Sequence, residues 1–184
     1  MNDKQQRIIN SGLRLFGKKD YGSTTTAEIA KQAGVSVGTL FNYYPTKQEL
    51  INEIYLYANR DYCEYAKNLE EKNDFKRGMI ELWSRCIDYA LENQDIFRFL
   101  VKFRNSPEIK EETVKQINDE SIFFEKVYNK FRKRNEVKMY YDLFSYIMFG
   151  CLIATLEFIE KNPDKEIEHV KEISFDYLWD GVNP

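Results

Sequence analysis

Hydrophobic positions recur at helical spacing along almost the whole chain. Between Lys4 and Lys18 they are Ile8, Ile9, Leu13 and Phe16, the steps of three and four that line one face of a helix. The stretch Thr24 to Leu50, TTTAEIAKQAGVSVGTLFNYYPTKQEL, then divides into three. Thr25 and Glu28 have capping-box spacing, which predicts a helix from Thr26 with Ile29, Ala30 and Ala33 on its inner face and Glu28 reaching back to Thr25. Gly34 stands where a helix ends in a left-handed residue, a conformation glycine adopts without a Cβ clash. Ser36 caps a second, short helix, and Pro45 stops it by pushing the preceding residue out of the α region. Val37, Leu40, Phe41 and Tyr44 make its expected inner side. Gly38, Thr39 and Asn42 make the outer one, with Tyr43 at the edge. Thr46 and Glu49 repeat the capping-box spacing and open a long helix expected to run to about Lys72. Two short helices joined by a glycine-containing turn are the signature of a helix-turn-helix.

The remainder also reads as helix. Residues 75 to 92 and 95 to 104 form two segments, and Ser106 as N-cap with Pro107 at the first helical position predicts a helix from there to about Arg134. No Asn-Gly hairpin or sustained alternating pattern occurs. The expected fold is all-α: a three-helix helix-turn-helix head (1–46) joined by a continuous helix to a larger helical body (47–184). Residues 139 to 161 carry two apolar stripes, Leu143, Ile147, Cys151, Ala154 and Phe158 on one side and Phe144, Met148, Leu152, Leu156 and Ile159 on another. A helix apolar on two sides must be buried on two sides. That makes it, with the last helix, the candidate dimer interface, represented by Phe144, Met148, Cys151, Leu152, Thr155 and Tyr177. The alternative is the central helix of a monomeric bundle.

Charge changes the picture at one end. The net charge is −3, yet residues 1–50 carry Lys4, Arg7, Arg14, Lys18, Lys19, Lys31 and Lys47 against Asp3, Asp20, Glu28 and Glu49, a balance of +3 that leaves −6 for the rest. A basic head on an acidic body suits a protein with one end facing phosphates. Three scattered cysteines, Cys63, Cys86 and Cys151, give neither a disulfide framework nor a paired metal motif. The sequence reads as having no hydrophobic stretch of 18 or more residues, and its N-terminus, MNDKQQR, lacks the apolar core of a signal peptide, so a soluble, cytoplasmic protein away from the membrane is expected. The one histidine, His169, lies in the charged segment EIEHVKE, and HExxH, paired CxxC and glycine-rich phosphate loops are absent. No enzyme, metal or cofactor is expected. Aromatic residues are plentiful, at 15%. Tyr62, Tyr65, Trp83, Tyr89, Phe97, Phe103, Phe124 and Tyr128 either line a cavity between helices or build the core.

IAKQAGVS, GTLFNYY and TKQEL, with RIINSGLRLFGKKDYG upstream, resemble the DNA-binding signature of the TetR family of bacterial transcriptional regulators. Phe41 stands where that family usually has a tyrosine whose hydroxyl touches a phosphate, and Tyr44 where it usually has phenylalanine, so no phosphate contact carries over to Phe41. The resemblance implies a homodimeric repressor that binds double-stranded operator DNA, pairs through its last two long helices and senses a small, largely apolar molecule in its body. The alternative is an all-helical DNA-binding or scaffolding module without an inducer. On the head, Asn42 has an amide able to bond adenine at two points and Thr39 offers a methyl and a hydroxyl to a base edge. Tyr43 and Lys47 are placed for phosphates. Gly38 on the outer face, with Thr25, Thr26, Ser36 and Val37 at the two helix starts, completes the candidate DNA-binding set.

Overall fold

Asn2 opens the first helix, α1 (Asp3–Lys18), in the computed structural model, which describes residues 1–67, 74–134 and 137–182. The Asn2 side chain accepts the Gln5 N–H at 2.9 Å, and the Gln5 side chain accepts the Asn2 N–H at 3.1 Å. This capping box, built on asparagine and glutamine, was not among the expected ones. α2 (Thr26–Ala33), α3 (Val37–Tyr43) and α4 (Lys47–Lys67) follow with the predicted starts. The end of α4 expected near Lys72 lies outside the described residues. Further on come α5 (Phe75–Glu92), α6 (Gln94–Phe103), α7 (Glu111–Lys133), α8 (Tyr141–Lys161) and α9 (Ile167–Val182). The fold is all-α, with no strand among the described residues.

The helices form two compact units, Met1–Tyr62 with Asn93–Asp119, and Cys63–Glu92 with Glu120–Pro184. In the first, Ile8, Ile9, Phe16, Ile29, Leu40, Leu50, Ile51 and Ile54 are fully buried. A Cβ on Gly12 would stand 2.5 Å from Ile54 Cδ1, so glycine there lets α4 lie against α1. α6, grouped by sequence with the body, packs on α1: Phe103 meets Phe16 edge-on at 6.0 Å, and Phe99 and Leu100 join the same core. Polar ties reinforce it. Arg14 faces Asp95 at 3.7 Å, and Lys102 Nζ donates to the Lys19 carbonyl at 2.7 Å and pairs with Asp20 at 3.2 Å.

The expected helix start at Ser106 and Pro107 is corrected. Ser106 caps a turn, its carbonyl accepting the Ile109 N–H at 3.1 Å, and α7 begins only at Glu111. The cause is a buried residue of α4. Asn52 Nδ2 donates to the carbonyls of Gln48 (2.7 Å) and Glu108 (2.9 Å), while Asn52 Oδ1 accepts the Lys110 N–H (2.8 Å) and the Thr113 hydroxyl (2.7 Å). The backbone from Glu108 to Lys110 is thereby held in a non-helical path.

In the second unit Phe75 stacks on Phe131 at 4.4 Å, and Tyr128 on Phe144 at 4.7 Å. Trp83 Nε1 donates to the Lys171 carbonyl and the Ser174 hydroxyl, both at 3.1 Å, joining α5 to α9. The Lys171 side chain is only 7% exposed and pairs with Asp88 at 2.6 Å and Glu168 at 2.7 Å. Burial alone lowers an ammonium pKa, but these two carboxylates outweigh it and hold Lys171 charged.

α8 departs from expectation twice. By length and composition it is apolar enough to cross a membrane, which corrects the expectation of no hydrophobic stretch of 18 or more residues. Its two apolar stripes also differ: Phe144, Leu152 and Ile159 are buried within the protomer, whereas Leu143, Ile147 and Phe158 are exposed. Phe144, Leu152 and Thr155, named as interface candidates, therefore already have their surface covered. Tyr177, on α9, is 79% exposed, and Met148 and Cys151 are intermediate.

Candidate nucleic-acid interface

The α2–turn–α3 segment is built by local chemistry. Thr25 Oγ1 accepts the Glu28 N–H at 3.1 Å. Gly34 sits at φ 65°, ψ 38°, and the Val35 N–H then reaches the Ala30 carbonyl at 3.0 Å, closing α2. Ser36 Oγ accepts the Thr39 N–H at 3.0 Å and starts α3. Only half of the capping box at Thr25 forms. The Glu28 carboxylate turns away to pair with Lys19, whose ammonium is a stronger attraction than a backbone N–H. Residues 34 to 38 also spell GxSxG, the pattern of a hydrolase nucleophile. In that motif the serine sits on a strand-to-helix turn. Ser36 instead follows a helix and its hydroxyl is engaged in capping, 2.8 Å from Thr39 Oγ1.

Leu40 and Tyr44 face the core, as expected, but Val37 and Phe41 do not: each is 40% exposed. Phe41 lies 100° round the helix from Leu40, at the edge of the core-facing side, and Val37 is the first residue of this seven-residue helix, at the rim of the core. Burial, with smaller contributions from Glu53 and Tyr43, pushes the Tyr44 hydroxyl pKa up to about 12. Gly38 and Asn42 are exposed on the outer face, as are Thr25 and Ser36, while Thr26 and Thr39 are half-buried. Tyr43 Oη accepts a hydrogen bond from Asn2 Nδ2 at 3.0 Å, which ties the end of α3 to the start of α1. Lys47 is turned inward. Its ammonium donates to the Tyr21 carbonyl and lies 4.1 Å from the centre of the Tyr21 ring, and burial lowers its pKa against a raising influence from Glu108.

The eight candidate pocket rings divide between the units, Tyr62, Phe97 and Phe103 in the first and Tyr65, Trp83, Tyr89, Phe124 and Tyr128 in the second. Several are engaged in close packing: Phe103 on Phe99 at 4.9 Å, Tyr65 on Tyr89 at 5.2 Å, Phe124 on Phe123 at 5.9 Å. An open cleft of about 580 Å³ in the second unit is lined by Asn129, Arg132, Lys133, Val137 and Lys138, none of them among the eight. Among the described residues no cluster of three His, Cys, Asp or Glu is placed to hold a metal.

This geometry defines an all-α protein with an N-terminal helix-turn-helix head. Residues 8–54 match the family model of bacterial regulatory proteins, tetR family. Over this head the chain resembles the TetR family. It is 29% identical over 127 residues to the uncharacterized HTH-type transcriptional regulator YuxN of Bacillus subtilis (strain 168), a match covering 67% of this chain and 44% of YuxN. The chain thus spans less than half the length of that relative. Its fold is similar to a TetR family transcription regulator from Marinobacter aquaeolei VT8, with TM-score 0.89, 20% identity, and coverage of 98% of this chain and 95% of the other. It is also similar to the transcriptional regulator FadR from Bacillus subtilis in complex with stearoyl-CoA, with TM-score 0.72, 17% identity, and coverage of 97% and 99%.

Proposed function

We propose that this chain is a cytoplasmic, homodimeric transcriptional repressor that binds operator DNA through residues 1–46 and is released by a small, largely apolar ligand bound in residues 47–184. The observation that carries the DNA-binding part is α3. Leu40 and Tyr44 seat it in the core of the head, and it presents Gly38 and Asn42 on a small, polar, exposed face suited to a major groove about 12 Å wide. Thr39 and Asn42 read base edges, and Tyr43 and Lys47 hold phosphates. For Lys47 this requires its ammonium to leave Tyr21. Two heads in a dimer fit half-sites about 34–36 Å apart on one face of the duplex, or multiples of that spacing.

The exposed apolar side chains of α8 and α9, Leu143, Tyr146, Ile147, Phe158, Ile173 and Tyr177, support pairing of two copies on this face. The ligand part leans on FadR, whose structure holds stearoyl-CoA. The packed state of the candidate rings favours the alternative, a DNA-binding or scaffolding module without an inducer. An electrophoretic shift of the DNA upstream of the chain's own gene tests the first part: no shift at any protein concentration short of nonspecific binding refutes it. A thermal-shift screen of fatty-acyl and aromatic compounds separates sensor from non-sensor, because binding to the native state alone raises Tm.

A further inference from the structure

At 100° per residue the exposed side of α3 is centred between Gly38 and Asn42, opposite Leu40. Its two flanks differ in chemistry. On one, Thr39 and Tyr43 carry hydroxyls already engaged within the chain, Thr39 Oγ1 with Ser36 Oγ and Tyr43 Oη with Asn2 Nδ2. On the other, Val37 and Phe41 stand one turn apart, apolar and 40% exposed. Gly38 lies between them. A Cβ there would meet nothing nearer than Ser36 Oγ at 3.9 Å, so the fold itself does not require glycine. Glycine inside a helix is unfavourable unless something outside must come close.

Resting on the assignment of α3 to the major groove, we propose that Val37 and Phe41 form a thymine-reading flank that packs on the C5-methyl groups of thymines beside the base contacted by Asn42. The thymine methyl is the one apolar group the major groove displays, and a phenyl ring without a hydroxyl matches it. Phe41 then contributes sequence specificity at a position where a tyrosine would be free to bond a phosphate.

The test uses the full chain. A high-affinity site is first enriched from randomised duplexes, and each thymine in it is then replaced by deoxyuridine, which pairs identically and lacks only the methyl. At one or two positions in each half-site the replacement should weaken binding about fourfold, the effect of exposing one buried methyl-sized group. Phe41→Ala should weaken the thymine site and bind thymine and uracil alike at one of those positions, and Val37→Ala should do so at its neighbour. If no sequence is enriched, the assignment of α3 falls, and this inference with it. If a site is enriched but has no thymine sensitive to the replacement, or both variants keep the wild-type preference for thymine over uracil, the thymine-reading flank alone is overturned.

Discussion

Asn52→Ala probes a single side chain that organises the turn between α6 and α7. Asn52 is 6% exposed and serves four groups, the carbonyls of Gln48 and Glu108, the Lys110 N–H and the Thr113 hydroxyl. The Gln48 carbonyl lies within α4 and has a helical partner besides, so its loss costs little. Thr113 is 7% exposed, and its hydroxyl would be left as a buried orphan at about 1–3 kcal/mol. The Glu108 carbonyl and the Lys110 N–H belong to a turn whose flanking side chains reach solvent, so water recovers part of each. The sum is about 2–4 kcal/mol, which at about 2–4 °C per kcal/mol for a chain of this size lowers Tm by roughly 5–15 °C. Urea denaturation followed by helical circular dichroism measures it, with an unchanged slope confirming that the same transition is compared. In the double variant Asn52→Ala/Thr113→Val the orphan hydroxyl is gone, and the cycle should return about 1 kcal/mol of coupling. An Asn52→Ala protein within about 0.5 kcal/mol of wild type would refute the assignment of Asn52 as the anchor of this turn.

Other expectations concern the site and its partners. Asn42→Ala should lose about 1–3 kcal/mol on the enriched site and little on random DNA, whereas Lys47→Ala should weaken both and reduce the salt-dependence slope by about one. A Lys47→Ala slope equal to wild type would mean that the ammonium stays on Tyr21. Ile147→Glu or Tyr177→Asp should convert a dimer to monomer in sedimentation at tens of micromolar without unfolding it, while Leu152→Glu, directed into the protomer's own core, should unfold it. Burial raises the hydroxyls of Tyr44 and Tyr128 from 10.0 to about 12. Between those values the native state keeps protons that the unfolded state has lost, so stability should fall as pH rises from about 10 to 12, by about 1–3 kcal/mol for each tyrosine. Denaturation of Tyr44→Phe should show a shallower fall over that window, and an identical fall would remove Tyr44 from the explanation.

What was legible in the sequence was what local chemistry decides. The limits of α2 and α3 follow from Thr25, Gly34, Ser36 and Pro45, each acting within four residues of itself, and they stand where expected. The start of α7 was not legible, because Ser106 is a sound cap in isolation and only Asn52, far back along the chain, overrides it. The docking of α6 on α1 joins Phe103 to Phe16, Arg14 to Asp95 and Lys102 to Lys19, long-range pairs that carry no periodic signal. On α8 both stripes are apolar, so periodicity could not say which one the protomer uses, and the covered one was partly chosen for the interface. Helical spacing puts Val37 and Phe41 on the side of α3 that carries Leu40 and Tyr44, and spacing alone does not show how little of that side the core of the head covers.

The way α6 closes over α1 bears on how such a head can be made and exchanged. Phe99, Leu100 and Phe103 belong to the same core as Phe16 and Ile54, and Lys102 donates to the carbonyl of Lys19, the residue that follows α1. A ribosome must therefore deliver more than one hundred residues before the first helix has its final neighbours. A recombination that moved only residues 1–62 into a foreign body would strand Phe16 with one side in water, unless the recipient brought its own aromatic helix to the same place. The unit of inheritance for this recognition surface is a discontinuous one, the first 62 residues together with 93–119.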